Sequence, residues 1–165
     1  MSGILNQTGA VSGILGTTVG TPSGGKIIQY VPGDVGTGTE ATTSASFIAS
    51  PEITNTITFT AGNYIYAMGV TNIHRTGGGV NIGCSCQMST NALDDSNDMF
   101  GNITVHFQQT NNNEDIGGRT SEPLFGRIQP SGTAVTVTMK FRTENGGTST
   151  IYRPNNKIDL WEVQA

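Results

Sequence analysis

Thr136-Val137-Thr138-Met139-Lys140-Phe141-Arg142-Thr143 is followed by Asn145-Gly146-Gly147, then by Ser149-Thr150-Ile151-Tyr152, and then by Ile158-Asp159-Leu160-Trp161-Glu162-Val163. Val135, Val137, Met139 and Phe141 alternate with Thr136, Thr138, Lys140 and Arg142. That period of two is the signature of a strand buried on one face only. Asn145-Gly146-Gly147 supplies residues that tolerate positive φ, so the chain can reverse into Ile151-Tyr152. Arg153-Pro154-Asn155-Asn156 makes a second break, because proline lacks an amide donor and asparagine favours turns. In the last run Ile158, Leu160 and Glu162 share one face, and Asp159, Trp161 and Val163 share the other. Both faces are partly apolar, as expected of an interior strand or of one covered by a neighbouring subunit.

This succession of strands and turns resembles the C-terminal pattern of small jelly-roll virion proteins of tailed bacteriophages, especially marine and cyanobacterial ones. The resemblance spans residues 26–165 and is carried by the last thirty or so. It implies a jelly-roll topology, a role in the virion and association as a trimer. It carries no catalytic motif.

Working back from this stretch, the rest of the chain continues the all-β reading. Ile27-Ile28-Gln29-Tyr30-Val31 is a strand cut by Pro32-Gly33-Asp34, and residues 36–44 read as a polar loop or weak edge strand. Ala45-Ser46-Phe47-Ile48-Ala49 is a strand that breaks at Ser50-Pro51. Ile53, Ile57 and Phe59 share a face, and Ala61-Gly62-Asn63 turns the chain into a strand over residues 64–70, predicting a hairpin. Residues 75–79 read as a glycine-rich loop containing His74 at its mouth and Arg75. Val80, Ile82, Cys84, Cys86 and Met88 then alternate against Asn81, Gly83, Ser85 and Gln87, which predicts a central strand with one dry face. Residues 91–97 read as a helical turn or loop. Ile103, Val105 and Phe107 begin another strand. Residues 108–127 are a long polar excursion holding one short strand near Leu124-Phe125. Eight or nine short strands with regular turn signals predict an antiparallel β-sandwich over residues 26–165.

The first 25 residues differ in kind. Ser2-Gly3-Ile4-Leu5 recurs as Ser12-Gly13-Ile14-Leu15, ten residues later. Each unit is a small apolar plug flanked by glycine and polar residues, too sparse to form a core alone. The expectation is an extended N-terminal arm that orders by packing on another subunit or virion protein. The bland alternatives are a disordered tail or the first strand of the sandwich. Pro22-Ser23-Gly24-Gly25 reads as the hinge.

Composition narrows the function. Of 165 residues only 12% are charged, while 23 are glycine and 24 threonine. This mixture favours strands and tight turns over helices. With a net charge of -4 and eight scattered basic residues, no nucleic-acid groove is expected. No run approaches the roughly 18 apolar residues that cross a bilayer, and no secretory signal is visible, so synthesis in a host cytoplasm and no membrane partner are expected. A surface kept soluble by Thr, Ser, Asn and Gln also suits close contact with other proteins.

The search for chemistry returns little. Cys84 and Cys86 lie on one face of one strand, poorly placed for a bridge, and read as small buried thiols. Asp94-Asp95-Ser96-Asn97-Asp98 offers oxygen ligands but lacks the spacing of an EF-hand loop, and a solvated loop is the better reading. Glu114-Asp115 is read the same way. His74 and His106 have no partner at metal-site spacing. No nucleophile elbow or phosphate loop is present, no cofactor is implied, and the protein is not expected to be an enzyme. Tyr30, Tyr64, Tyr66, Tyr152 and Trp161 suit a sugar-stacking face, although packing in the core or at a subunit boundary is the simpler reading.

Three functions follow. The first is a capsid decoration or cement protein, trimeric, held to the major capsid protein or other virion proteins by the arm residues Ser2, Gly3, Ile4, Leu5, Ser12, Gly13, Ile14 and Leu15. The second is a short tail-fibre or receptor-binding protein in which loops carrying His74, Arg75, Asn112 and Arg119 meet a host glycan. The third is a cellular carbohydrate-binding sandwich or small glycosidase.

Overall fold

The computed structural model describes residues 25–76, 83–90, 100–106, 120–144 and 146–165. These hold ten strands: β1 (Ile27–Val31), β2 (Thr39–Thr42), β3 (Ile48–Thr58), β4 (Tyr64–Thr76), β5 (Gly83–Ser89), β6 (Phe100–His106), β7 (Thr120–Ile128), β8 (Ala134–Glu144), β9 (Thr148–Tyr152) and β10 (Lys157–Val163). A 3-10 turn, Arg153–Asn155, links β9 to β10. No α-helix occurs among the described residues.

The pairing order is β1-β10-β4-β7 followed by β6-β5-β8-β3. The two quartets meet at β7 and β6 through the pair Phe100 and Gly126. Apart from β2 and β9, the chain visits the quartets in the order first (β1), second (β3), first (β4), second (β5, β6), first (β7), second (β8), first (β10). That interleaving is the jelly roll expected from the resemblance. β2 and β9 pair with each other beside it, and β9 also continues the far end of β4. The strand count rises from the expected eight or nine to ten because the weak edge strand read at residues 36–44 does form.

The core lies between the quartets. Ile53 and Ile57 of β3, Cys84, Cys86 and Met88 of β5, and Val137, Met139 and Phe141 of β8 face Ile65, Ala67 and Ile73 of β4, Leu124 of β7, and Ile158 and Leu160 of β10. Each fully buried side chain of the size of Leu, Ile or Phe contributes about 1.5–3 kcal/mol. The alternation read in β8 is therefore the core face. Gly146 and Gly147, at φ 81° and 83°, make the predicted β8–β9 reversal. β10 lies between β1 and β4, the interior place that its two apolar faces require.

Four expectations are corrected. The break at Ser50-Pro51 is absent: β3 runs through Pro51, and a register shift between Ala49 and Thr54 absorbs it. Among the described residues β3 pairs only with β8, an edge position that tolerates the missing amide donor of Pro51. The strand from Tyr64 does not stop at Val70 but reaches Thr76, because its far end pairs with β9. The short strand near Leu124-Phe125 is a nine-residue strand paired with β4 along its length. Finally, β5 has no wet face: all seven of its residues are buried, Ser85, Gln87 and Ser89 included. Lys140 of β8 is buried as well, and the Phe47 ring covers the Arg142 guanidinium at 4.5 Å.

Candidate functional site

Period two puts Lys157, Asp159, Trp161 and Val163 of β10 on the side of the sheet away from the core. Register does the rest. Trp161 lies opposite Tyr30 of β1 on one side and Tyr66 of β4 on the other, and Tyr66 lies opposite Arg127 of β7. Tyr30, Trp161, Tyr66 and Arg127 thus stand side by side across four adjacent strands. In the next row Asp159 lies opposite Met68, and Met68 opposite Phe125.

The row is held by specific contacts. Tyr30 and Trp161 stack with ring centroids 5.2 Å apart and planes 27° apart. The Arg127 guanidinium lies over Tyr64 at 4.8 Å and Tyr66 at 5.9 Å from the ring centroids. Its Nη1 also reaches the Tyr66 hydroxyl at 3.5 Å. The Tyr30 hydroxyl donates to Asp159 Oδ1 at 3.2 Å, and the Gly33 amide donates to the same oxygen at 2.8 Å. Lys157 Nζ approaches Asp159 Oδ2 at 2.8 Å. Burial pushes the Asp159 carboxyl up, but the Gly33 amide, Lys157 and Tyr30 together hold it below the ordinary aspartate range. On the opposite side of β10, Glu162 accepts from the Thr60 amide at 2.9 Å and from Asn63 Nδ2 at 2.6 Å. Burial acts against ionisation there too, and the hydrogen bonds, led by that from Asn63, outweigh it. Glu162 thereby ties the β3–β4 turn to the strand that carries Trp161.

Among the described residues, nothing covers this face. Relative exposures are 59% for Ile27, 46% for Ile28, 49% for Tyr30, 38% for Tyr66 and 61% for Phe125, values far above those of core residues. A trough of about 730 Å³ crosses it, walled by Ile27, Tyr66, Met68, Phe125, Arg127 and Trp161. Gly25 lines one end. Chemically the face offers aromatic rings, aliphatic groups and one guanidinium lying over two tyrosines. Among the described residues no group of three His, Cys, Asp or Glu is placed to hold a metal ion.

The sequence candidates fall elsewhere. Ser2, Gly3, Ile4, Leu5, Ser12, Gly13, Ile14, Leu15, Asn112 and Arg119 lie outside the described residues, as do Asp94–Asp98 and Glu114-Asp115. The loop reading of His74 and Arg75 is corrected: both belong to β4, opposite Thr150 and Ser149 of β9. The His74 ring is half-buried and tilted against Tyr152, with centroids 6.2 Å apart. Cys84 and Cys86 are buried thiols not joined by a disulfide, as the sequence predicts. Trp161, Tyr30, Tyr66 and Phe125 all fall in stretches that the sequence predicts as strands; Arg127, at the end of the polar excursion, does not, and only strand register reveals the row.

No protein-family model matches the chain, and no curated protein sequence is similar to it. Among solved structures, the C-terminal domain of EclA, described as a sugar-binding protein, is 14% identical with a TM-score of 0.35, covering 79% of this chain and 78% of that one. Infectious bursal disease virus, Gt strain, is 11% identical with a TM-score of 0.42, and its VP2 subviral particle is 10% identical with a TM-score of 0.39. Each alignment covers 82% of this chain but only 32% and 37%, respectively, of the viral chain.

Proposed function

We propose that this protein is a non-enzymatic virion structural protein of a tailed bacteriophage, a jelly roll that decorates the head and cements the major capsid protein lattice as a trimer. The observation that carries this reading is the aromatic face of the β1-β10-β4-β7 sheet, which no described residue covers. An exposed apolar surface of this kind marks an interaction site on a soluble domain, and tyrosine, tryptophan and arginine are the residues that most often anchor protein interfaces. The resemblance of the β8–β10 stretch to phage virion proteins supplies the setting. Attachment is multivalent: each arm of the trimer adds a modest contact, and tethering makes the combination strong. The chain is made in the host cytoplasm and resides in the virion.

A second reading is a short tail fibre that recognises a host glycan, and the Tyr30-Trp161-Tyr66 row supports it, since sugar rings stack on aromatic faces. The two readings separate by copy number and position in purified particles, measured by quantitative gel and labelled-antibody electron microscopy. Hundreds of copies over the head support the cement; a few copies at the tail support the fibre. Absence from particles overturns both.

A further inference from the structure

The trough beside Trp161 is built for an apolar peptide. Ile27, Met68, Phe125 and Val163 supply aliphatic and aromatic surface. The one charged wall residue, Arg127, is engaged over Tyr64 and Tyr66. The nearest carboxylate, Asp159, has one oxygen hydrogen-bonded to Gly33 and Tyr30 and the other ion-paired with Lys157. A sugar laid here would find hydroxyl partners only at its Arg127 and Tyr66 end, while the aliphatic and aromatic remainder would desolvate its other hydroxyls without partners, which is costly.

The chain itself supplies a matching peptide. Gly25, the first described residue, lines the end of the trough, and its amide donates to the Gln164 carbonyl at 2.8 Å, so residue 24 starts beside the trough rather than across the molecule. Residues 1–25 contain no Asp, Glu, Lys or Arg. They carry the two Ser-Gly-Ile-Leu repeats, of which the nearer ends at Leu15, ten residues before Gly25. Ten extended residues reach about 33–36 Å, and four adjacent strands span only about 14–15 Å. The nearer repeat therefore reaches the trough with chain to spare for a reversal at Pro22-Ser23-Gly24. Tethering of this length gives an effective concentration of the order of millimolar.

We propose that Ile14 and Leu15 dock in the trough of their own chain, covering Trp161, while Ile4 and Leu5, one repeat further out, remain for a neighbour. Only the role of the outer repeat rests on the virion reading. The docking of the inner repeat is tested on the isolated protein, without particles, so the two fail separately.

Trp161 is the only tryptophan in the chain and is its own probe. The full-length protein and the pairs Ile14→Asp with Leu15→Asp, and Ile4→Asp with Leu5→Asp, are compared by tryptophan emission and acrylamide quenching over a wide dilution series. The inner pair should red-shift the emission and raise the quenching constant roughly twofold, as for a half-buried ring that loses its cover. The outer pair should leave both unchanged at every concentration. Because both pairs lie ahead of β1, unaltered thermal unfolding certifies the fold. Equal quenching in all three proteins overturns the proposal, as does protection that disappears on dilution, which would assign the trough to a second copy. Protection that depends on the outer pair instead also overturns it.

Discussion

Tyr30 stacks on Trp161 across the β1–β10 pair, and the Tyr30 hydroxyl at the far end of the same side chain donates to Asp159, two residues before Trp161 on the same strand. One side chain therefore joins the exposed aromatic row to the carboxylate beneath it. Aromatic pairs of this geometry contribute about 0.5–1.5 kcal/mol beyond the area they bury. In a double-mutant cycle read by urea unfolding, Tyr30→Phe with Trp161→Ala should show little coupling energy, since Phe keeps the ring, whereas Tyr30→Ala with Trp161→Ala should report that amount. Equal coupling for Phe and Ala would mean that the ring contact contributes nothing.

Acid should loosen the same region. Asp159 and Glu162 are both held below their ordinary carboxyl ranges in the folded protein. A carboxyl with a depressed folded pKa contributes stability that is complete above its unfolded pKa and is lost as pH falls through the folded one. Unfolding free energy should therefore be level near neutrality and fall below about pH 4. Asp159→Asn and Glu162→Gln should each be less stable at neutral pH and have a shallower acid limb. An acid limb unchanged by both substitutions would place the titrating groups elsewhere.

Two glycines make a contrast that the structure orders. A Cβ on Gly33 would meet the backbone carbonyl of Ile158, which cannot move without shifting β10. A Cβ on Gly69 would meet Met88 Sδ at 2.8 Å and Met139 Cε at 3.3 Å, the ends of flexible side chains. Overpacking costs about 1–3 kcal/mol, and Gly33→Ala should lie at or above the top of that range with Gly69→Ala near the bottom. The ranking of their melting temperatures tests the packing, and the reverse order would show that the approach of Gly33 to β10 is not as drawn.

How much of this was legible in the residues follows from how local each signal is. β8, β10 and the core face of β5 were readable because alternation is written in consecutive residues, and Cys84 and Cys86 fall where it puts them. Pro51 misled because a proline is read as a break, whereas an edge strand with a register shift tolerates it. Leu124-Phe125 was heard only as a fragment of β7, since Pro123 and Gly126 carry no strand preference and are held by nine pairs to β4. The burial of Gln87 and Lys140 was invisible because polarity reports a preference for water, not the presence of covering chain. The aromatic row depends on register between strands far apart in sequence, which no local pattern encodes.

The cysteines allow a direct check of the dry interior. Cys86 is buried, and burial first, then the neighbouring Cys84, pushes its thiol well above the ordinary range. Both are fully enclosed between the quartets. The thiolate is the reactive form, so a thiol reagent at neutral pH should modify neither residue in the native protein and both once urea unfolds it. Cys84→Ala should lower the melting temperature modestly and Cys84→Asp severely, because an unpaired carboxylate on that face has no water and no partner. Rapid native labelling, or an Asp variant as stable as the Ala one, would show that this face is not core.

Removal of the N-terminal segment separates folding from assembly. Every strand of the sandwich among the described residues begins at or after Ile27, and the backbone bonds that fasten the start of β1, Gly25 to Gln164 and Gln164 to Lys26, lie downstream of residue 24. A protein lacking residues 1–24 should therefore stay soluble and melt within a few degrees of the full chain, since what it loses is a repeat docked on the surface and not a core strand. On the proposed head-cement reading, the same deletion should strip the protein from purified particles, because the outer repeat would then be the contact that tethering multiplies. Insoluble or unfolded protein after deletion would make the segment part of the sandwich. A folded truncation that still coats particles at full occupancy would put the attachment on the domain alone, with the aromatic face as its whole footing.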